Sequence, residues 1–128
     1  MCRFAVATVL LALAGSAGCG GGDPLGGLLA HQEAVVGIIE AHAADPGAAG
    51  KAASAYLTEH AAELGQLETA ARELERELAG DPNAVAELAL AHQEALRRVG
   101  ERTLALRKET ALIADPQVRA ALDRFQHP

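Results

Sequence analysis

Four Asp-Pro dipeptides divide the chain, and they constrain its fold more than any other feature. Asp23, Asp45, Asp81 and Asp115 each precede a proline. Aspartate is favoured immediately before a helix because its carboxylate accepts a hydrogen bond from an unpaired amide of the first turn. Proline suits the first helical position, where an N–H would have no intrahelical partner. Each Asp-Pro step therefore predicts the start of a new helix.

The segments between these steps carry apolar residues at helical spacing. The second segment places its stripe at Leu57, His60, Leu64, Leu67, Ala71, Leu74 and Leu78. The third places its stripe at Val85, Leu88, His92, Leu96, Val99, Thr103, Leu106, Thr110 and Ile113. Steps of three and four residues put side chains on one face of a helix, and no segment alternates as a strand would. We therefore predict an all-α fold with four helices, one after each Asp-Pro step.

The lengths of the segments predict how these helices are arranged. The second and third helices would each be about 50 Å long at 1.5 Å per residue, and the first and fourth are shorter. Short connections make neighbouring helices antiparallel. The sequence thus predicts an antiparallel bundle of four helices built on a long hairpin of the second and third. At the closed end of this hairpin, about residues 67–96, only two helices would remain.

The first 19 residues predict export and attachment to a membrane. They read MCRFAVATVLLALAGSAGC, with a single Arg, an apolar run, small residues and a final Cys. The apolar run 4–14 is too short to cross a hydrocarbon core of about 30 Å, and it suits a secretory signal. Ser16-Ala17-Gly18-Cys19 resembles the lipobox of bacterial lipoproteins. That resemblance implies cleavage before Cys19, lipidation of this residue and, with Gly20 following it, location at the outer membrane.

The chain is therefore predicted to have three parts. Residues 1–18 form a lipoprotein signal peptide, residues 19–23 hold the lipidated Cys19 and a glycine-rich tether, and residues 24–128 form a single helical bundle domain. An ordinary signal peptide cut after Ala17 is the alternative, and it would leave Cys19 as a free thiol. Because Cys2 lies in the signal peptide, no disulfide is expected in the mature chain.

Charge and composition exclude several classes of partner. The chain has 11 Lys and Arg residues against 17 Asp and Glu residues, with a formal net charge of −6. Nucleic-acid binding needs clustered basic side chains, and no such cluster is present. One Tyr, two Phe and no Trp leave little surface for stacking bases. We expect no nucleic-acid partner, and we expect lipid chains rather than basic side chains to hold the protein on a membrane.

The closed end of the hairpin is the predicted interaction surface. Its apolar stripe would be covered only from within the two-helix pair, which leaves apolar edges. The sequence therefore predicts an envelope lipoprotein with a structural or adaptor role, facing the periplasm, that binds a protein partner or a second copy through the hairpin. Shielding of the stripe by long Arg and Glu side chains is the competing interpretation. The alternative function is a bundle that holds a metal ion or small ligand between its helices.

Three polar residues are the only candidate metal ligands. Reflection of the chain across the Asp45 turn places His31 level with His60, and Glu63 lies three residues further on. Two imidazoles and a carboxylate are plausible ligands for a divalent metal. The Glu-x-x-His pairs of di-metal bundles are missing, however. From sequence alone we predict no metal and no cofactor, with the histidines bonded to polar neighbours or loosening the bundle when protonated.

Catalytic chemistry has no support in the sequence. Ser54 is the only serine after Cys19, and no glycine elbow surrounds it. The chain has neither a phosphate-cradling loop nor a His-Glu-x-x-His motif. We therefore predict that the protein is not an enzyme and has no catalytic residues.

Overall fold

The computed structural model describes residues 23–126, and this part of the chain is folded into seven helices without any strand. The helices in chain order are α1 (Pro24–Ala41), α2 (Pro46–Glu59), α3 (Ala61–Leu78), α4 (Pro82–Ala91), α5 (Gln93–Arg107), α6 (Thr110–Ala114) and α7 (Pro116–Asp123). The predicted all-α class is confirmed. None of the described helices is both long and apolar enough to cross a membrane.

Every Asp-Pro step begins a helix, as predicted. The side chains of Asp23, Asp45, Asp81 and Asp115 cap α1, α2, α4 and α7, and the proline that follows occupies the start of each helix. In the last of these caps the Oδ1 atom of Asp115 accepts hydrogen bonds from two backbone amides, at 2.9 and 3.0 Å. Such a cap stabilises a helix by about 1 kcal/mol.

The prediction of two long unbroken helices is wrong. His60 separates α2 from α3, His92 separates α4 from α5, and residues 108–109 separate α5 from α6. The two histidines have φ/ψ values of −99°/11° and −109°/6°, well away from about −63°/−42° for an α-helix. Backbone bonding resumes at once, because Leu64 N donates to His60 O and Leu96 N to His92 O, both at 2.9 Å. Each histidine therefore marks a bend in an otherwise continuous arm. One arm consists of α2 and α3, and the other consists of α4 and α5.

The bent arms enclose α1. This helix packs against α2 and α3 on one side and against α5 on the other. The approach to α3 is close, since a Cβ atom placed on Gly27 would lie 2.7 Å from Cδ2 of Leu67. The structure therefore places α1 between two bent arms, instead of the simple antiparallel four-helix bundle that the sequence predicts.

The main core lies at the open end of the hairpin, opposite to its closed end. The sequence predicts that all four helices meet there. The core contains buried residues from α1, α2, α5, α6 and α7: Val35, Val36, Ile39, Ala49, Ala53, Leu106, Leu112, Val118, Ala121 and Leu122. Within it, small residues allow α2 and α7 to approach closely. A Cβ atom on Gly50 would lie 2.8 Å from Cβ of Gln117 and closer still to the carboxylate of Asp115.

Ion pairs tie α1 to α5 along their exposed edge. Arg98 Nε donates to Glu33 Oε1 at 2.8 Å, Arg102 Nη1 contacts the same oxygen at 3.3 Å, and Arg102 also pairs with Glu40. The hydrogen bond from Arg98 is the main reason that the pKa of Glu33 is lowered. Because these side chains are partly exposed, solvent screens the pairs and each adds little to stability. The pairs fix the register of α1 rather than supply most of the stability.

Candidate functional site

The predicted lipidation site, Cys19, and the predicted signal peptide lie outside the described residues. The described chain begins at Asp23, the last residue of the predicted tether. The carboxylate of Asp23 pairs with Nε2 of His92, at the bend between α4 and α5. The next turn is also close, because a Cβ atom on Gly26 would lie 3.2 Å from Cε1 of His92. The first described residue therefore contacts the hairpin partway along its length.

Two imidazoles and a carboxylate converge where α1 crosses the bend between α2 and α3. His31 lies on α1, His60 forms the bend, and Glu63 lies in the first turn of α3. His31 Nε2 lies 3.4 Å from Glu63 Oε1, and His60 Nδ1 lies 3.4 Å from Glu63 Oε2. One ligand atom from each residue lies within 4.8 Å of the others. We call these three residues the His-Glu cluster, and its assembly confirms the register predicted across the Asp45 turn.

Tyr56 on α2 completes the surroundings of the His-Glu cluster. Its hydroxyl is 2.8 Å from His31 Nδ1, and its ring centroid is 4.2 Å from that of His60. Burial raises the pKa of Tyr56, and the negative charges of Glu63 and Glu59 raise it further. The phenol is therefore neutral at physiological pH, and it fixes the orientation of the His31 ring.

The His-Glu cluster is open to solvent on one side. The side chain of His31 is 10% exposed, that of His60 is 27% exposed, and that of Glu63 is 30% exposed. An ion or a water molecule can therefore reach the Glu63 carboxylate and the His60 imidazole without any rearrangement of the helices. Chemically, the three groups can form a hydrogen-bond network or bind a metal.

A second feature is the apolar surface of the arm formed by α4 and α5. Helix α4 has no buried residue, although Glu87 is the only charged residue within it. The large apolar side chains that are exposed in the described chain all belong to this arm: Val85, Leu90, Leu96 and Leu104. At about 100° per residue they fall within an arc of roughly 140°. We call this surface the α4–α5 face.

An apolar groove adjoins the α4–α5 face at the closed end of the hairpin. It has a volume of about 200 Å³, and its apolar walls include Leu74, Leu78, Val85 and Leu88. These residues belong to the stripe that the sequence predicts for this end. None of residues 72–91 is fully buried, so the pair of helices covers its own stripe only in part.

Some of these features have no clear signal in the sequence. The contact between Asp23 and His92 joins residues 69 positions apart. Leu90 and Leu104 lie off the predicted stripe, so their exposure depends on how the arm is rotated. Tyr56, by contrast, lies four residues before His60 and hence on the same helix face. From this spacing the position of Tyr56 beside His60 could have been predicted.

Comparison with protein-family models, with curated protein sequences and with solved structures finds no match to this chain. Functional inference therefore depends on the residues and their geometry.

Proposed function

We propose that this chain is a lipid-anchored protein of the cell envelope, held at the outer membrane through Cys19, with a structural role in which two copies pair. Pairing takes place through the α4–α5 face and the adjoining groove. The observation on which this proposal depends is α4 itself, a helix whose residues are mostly apolar although none of them is buried. A helix of this kind is normally covered by other protein.

Charge favours a second copy over a foreign partner as the occupant of this surface. Partners of opposite charge are recognised through complementary patches that steer their encounter. Glu87 is the only charged residue in α4, so this helix offers little charge for another protein to recognise. Two hairpins placed with their α4–α5 faces together would form a four-helix layer and cover both apolar surfaces, which is the usual packing of antiparallel helices.

The size of the surface and the membrane anchor also favour pairing. An ordinary interface takes about 20–30 residues from each partner, and the closed end of the hairpin together with α5 supplies this number. Lipid anchors would hold the copies on the same membrane, which raises their effective concentration. A modest intrinsic affinity is then enough for pairing.

Replacing Cys19 by serine is expected to release the protein from membranes. Stable anchoring needs more than one acyl chain, and serine offers no thiol for the lipid. The measurement is the fraction of the protein that sediments with membranes after cell lysis. Cys2→Ser is the matched control, because it removes the other cysteine and should leave the sedimenting fraction unchanged. Continued sedimentation of Cys19→Ser with membranes would show that the anchor is assigned wrongly.

Replacing Leu90 by glutamate is expected to abolish pairing. Leu90 is 67% exposed, so the charge costs the folded chain little, but in a pair it would have to be buried without a partner. The measurement is the mass of the full chain by analytical ultracentrifugation in a density-matched detergent. The wild type should sediment as two copies and Leu90→Glu as one.

Ala55→Glu controls for the added charge. Ala55 is exposed on α2, outside the α4–α5 face, so this variant should still pair. A wild-type chain that remains a single copy at high concentration would overturn the pairing proposal. Equal masses for Leu90→Glu and the wild type would place the interface elsewhere.

A further inference from the structure

We propose that the His-Glu cluster is a binding site for a divalent transition-metal ion such as Zn²⁺. The ligand atoms would be Nε2 of His31, Nδ1 of His60 and a carboxylate oxygen of Glu63. This inference goes beyond the proposed envelope role, and it does not depend on that role.

The distances in the cluster match a metal site and are long for hydrogen bonds, of which only the contact between His60 Nδ1 and Glu63 Oε2 has the required geometry. Ordinary N–H···O hydrogen bonds measure about 2.7–3.2 Å between heavy atoms, whereas both imidazole–carboxylate distances are 3.4 Å. Metal–ligand bonds of about 2.0–2.1 Å in a tetrahedral zinc site place neighbouring ligand atoms about 3.3–3.4 Å apart. Each of the two measured distances matches an edge of such a tetrahedron, but they end on the two different oxygens of Glu63, so the carboxylate must turn to bring one oxygen to both imidazoles. The third edge, between the imidazoles, is no more than 4.8 Å, and a small rotation of the half-exposed His60 ring shortens it.

Tyr56 prepares His31 to act as a ligand. When Nδ1 of His31 donates its proton to the Tyr56 hydroxyl at 2.8 Å, the lone pair of Nε2 faces the Glu63 carboxylate. Two electron-rich atoms that face each other repel unless a cation lies between them. Metal-binding histidines are commonly oriented in this way, with the second ring nitrogen bonded to a neighbouring group.

The donor set and its surroundings select the class of ion. Two imidazole nitrogens and one carboxylate suit Zn²⁺ and related transition metals, whereas Ca²⁺ and Mg²⁺ prefer oxygen ligands alone. Glu59 adds a further negative charge close by, since it helps to raise the pKa of Tyr56. The partly exposed side leaves room for a water molecule as the fourth ligand.

The metal would join three parts of the fold. His31 belongs to α1, His60 forms the bend between α2 and α3, and Glu63 belongs to α3. An ion bound to all three would hold the bent arm against α1, on the side opposite to the ion pairs with α5. Binding should therefore raise the melting temperature of the domain, since a ligand that binds only the folded state stabilises it.

Titration of the full, untagged chain in detergent with zinc chloride tests this proposal. Isothermal titration calorimetry should give one Zn²⁺ per chain, with an affinity that falls as the pH is lowered, because protons compete for the imidazole nitrogens. Co²⁺ in place of Zn²⁺ should produce the visible absorption bands of a tetrahedral site. That spectrum distinguishes ligation by the cluster from loose surface binding.

Three variants of the cluster should weaken binding. Removal of a ligand in Glu63→Gln or His60→Gln should raise the Kd for Zn²⁺ by at least about 10-fold, and loss of the orienting hydroxyl in Tyr56→Phe should raise it by about 10-fold. The matched controls are Glu73→Gln and His42→Gln, which remove the same chemical groups at exposed positions outside the cluster and should leave the Kd unchanged.

The outcomes are decisive even if one variant folds poorly. Glu63→Gln keeps the size of the side chain, and circular dichroism establishes whether each variant is folded. Absence of Zn²⁺ binding by the wild-type chain would leave the cluster as a hydrogen-bond network and overturn the proposal. So would a folded Glu63→Gln variant that binds Zn²⁺ as tightly as the wild type does.

Discussion

Replacing Gly50 by alanine is expected to destabilise the domain by about 1–3 kcal/mol, the usual cost of adding a methyl group to a tightly packed contact. The new Cβ atom would lie 2.8 Å from Cβ of Gln117 and closer still to the carboxylate of Asp115. That carboxylate cannot move freely, because it caps α7 through two backbone amides. Either α2 and α7 must separate or the cap must be lost. Urea unfolding followed by circular dichroism measures the change.

Gly65→Ala makes the same chemical change where there is space for it. Apart from the adjacent residues and the nearby backbone of the same helix, no atom lies within 4 Å of a Cβ atom placed on Gly65 in α3. Glycine inside a helix costs roughly 0.5–1 kcal/mol relative to alanine, so this variant should be more stable than the wild type by about that amount. The two substitutions should therefore differ in sign. If Gly50→Ala stabilised the domain as much as Gly65→Ala does, the close contact between α2 and α7 would be refuted.

The starts of α1, α2, α4 and α7 could be predicted from the sequence because their causes are local. An aspartate cap and a proline in the first turn act within three residues. The helix start that follows Asp45 or Asp81 can therefore be predicted without knowledge of the rest of the fold. The register of α1 against α2 and α3 is nearly as local, since a short turn fixes it. For that reason the meeting of His31 with His60 was within reach of sequence reasoning.

The bends in the long arms could not be predicted, because their causes are tertiary. Neither His60 nor His92 is accompanied by the proline or glycine that usually ends a helix. Each bend occurs where the histidine meets residues near or on α1. His92 pairs with Asp23, and the ring of His60 lies 5.1 Å from that of His31. Periodicity along one helix contains no information about such contacts.

Only part of the α4–α5 face could be predicted from the sequence, and the reason is again tertiary packing. The sequence indicated an apolar stripe at the closed end of the hairpin, and Leu74, Leu78, Val85 and Leu88 do line a groove there. Leu90 and Leu104 lie off this stripe, and they are exposed because the arm packs on α1 with another side. Which apolar residues remain uncovered therefore depends on the packing of the whole domain.

Replacing Ile39 by alanine is expected to cost about 2–5 kcal/mol, a large part of the 5–15 kcal/mol by which a typical domain is stable. Ile39 is 0% exposed and lies on α1 in the main core. A cavity at this position removes contacts between α1 and the helices around it, and the close packing prevents them from filling the space. A large fall in the melting temperature and in the urea midpoint should follow.

Leu90→Ala is the matched control, because it removes a similar amount of apolar side chain from the surface instead of the core. Leu90 is largely exposed, and at low protein concentration its loss should change stability by less than about 0.5 kcal/mol. At high concentration the same variant should be less stable than the wild type, since pairing adds to apparent stability. A loss from Leu90→Ala as large as that from Ile39→Ala at low concentration would mean that this leucine is buried within a single copy. The Ile39→Ala substitution must destabilise the domain at every concentration, whereas Leu90→Ala can destabilise it strongly only where two copies meet.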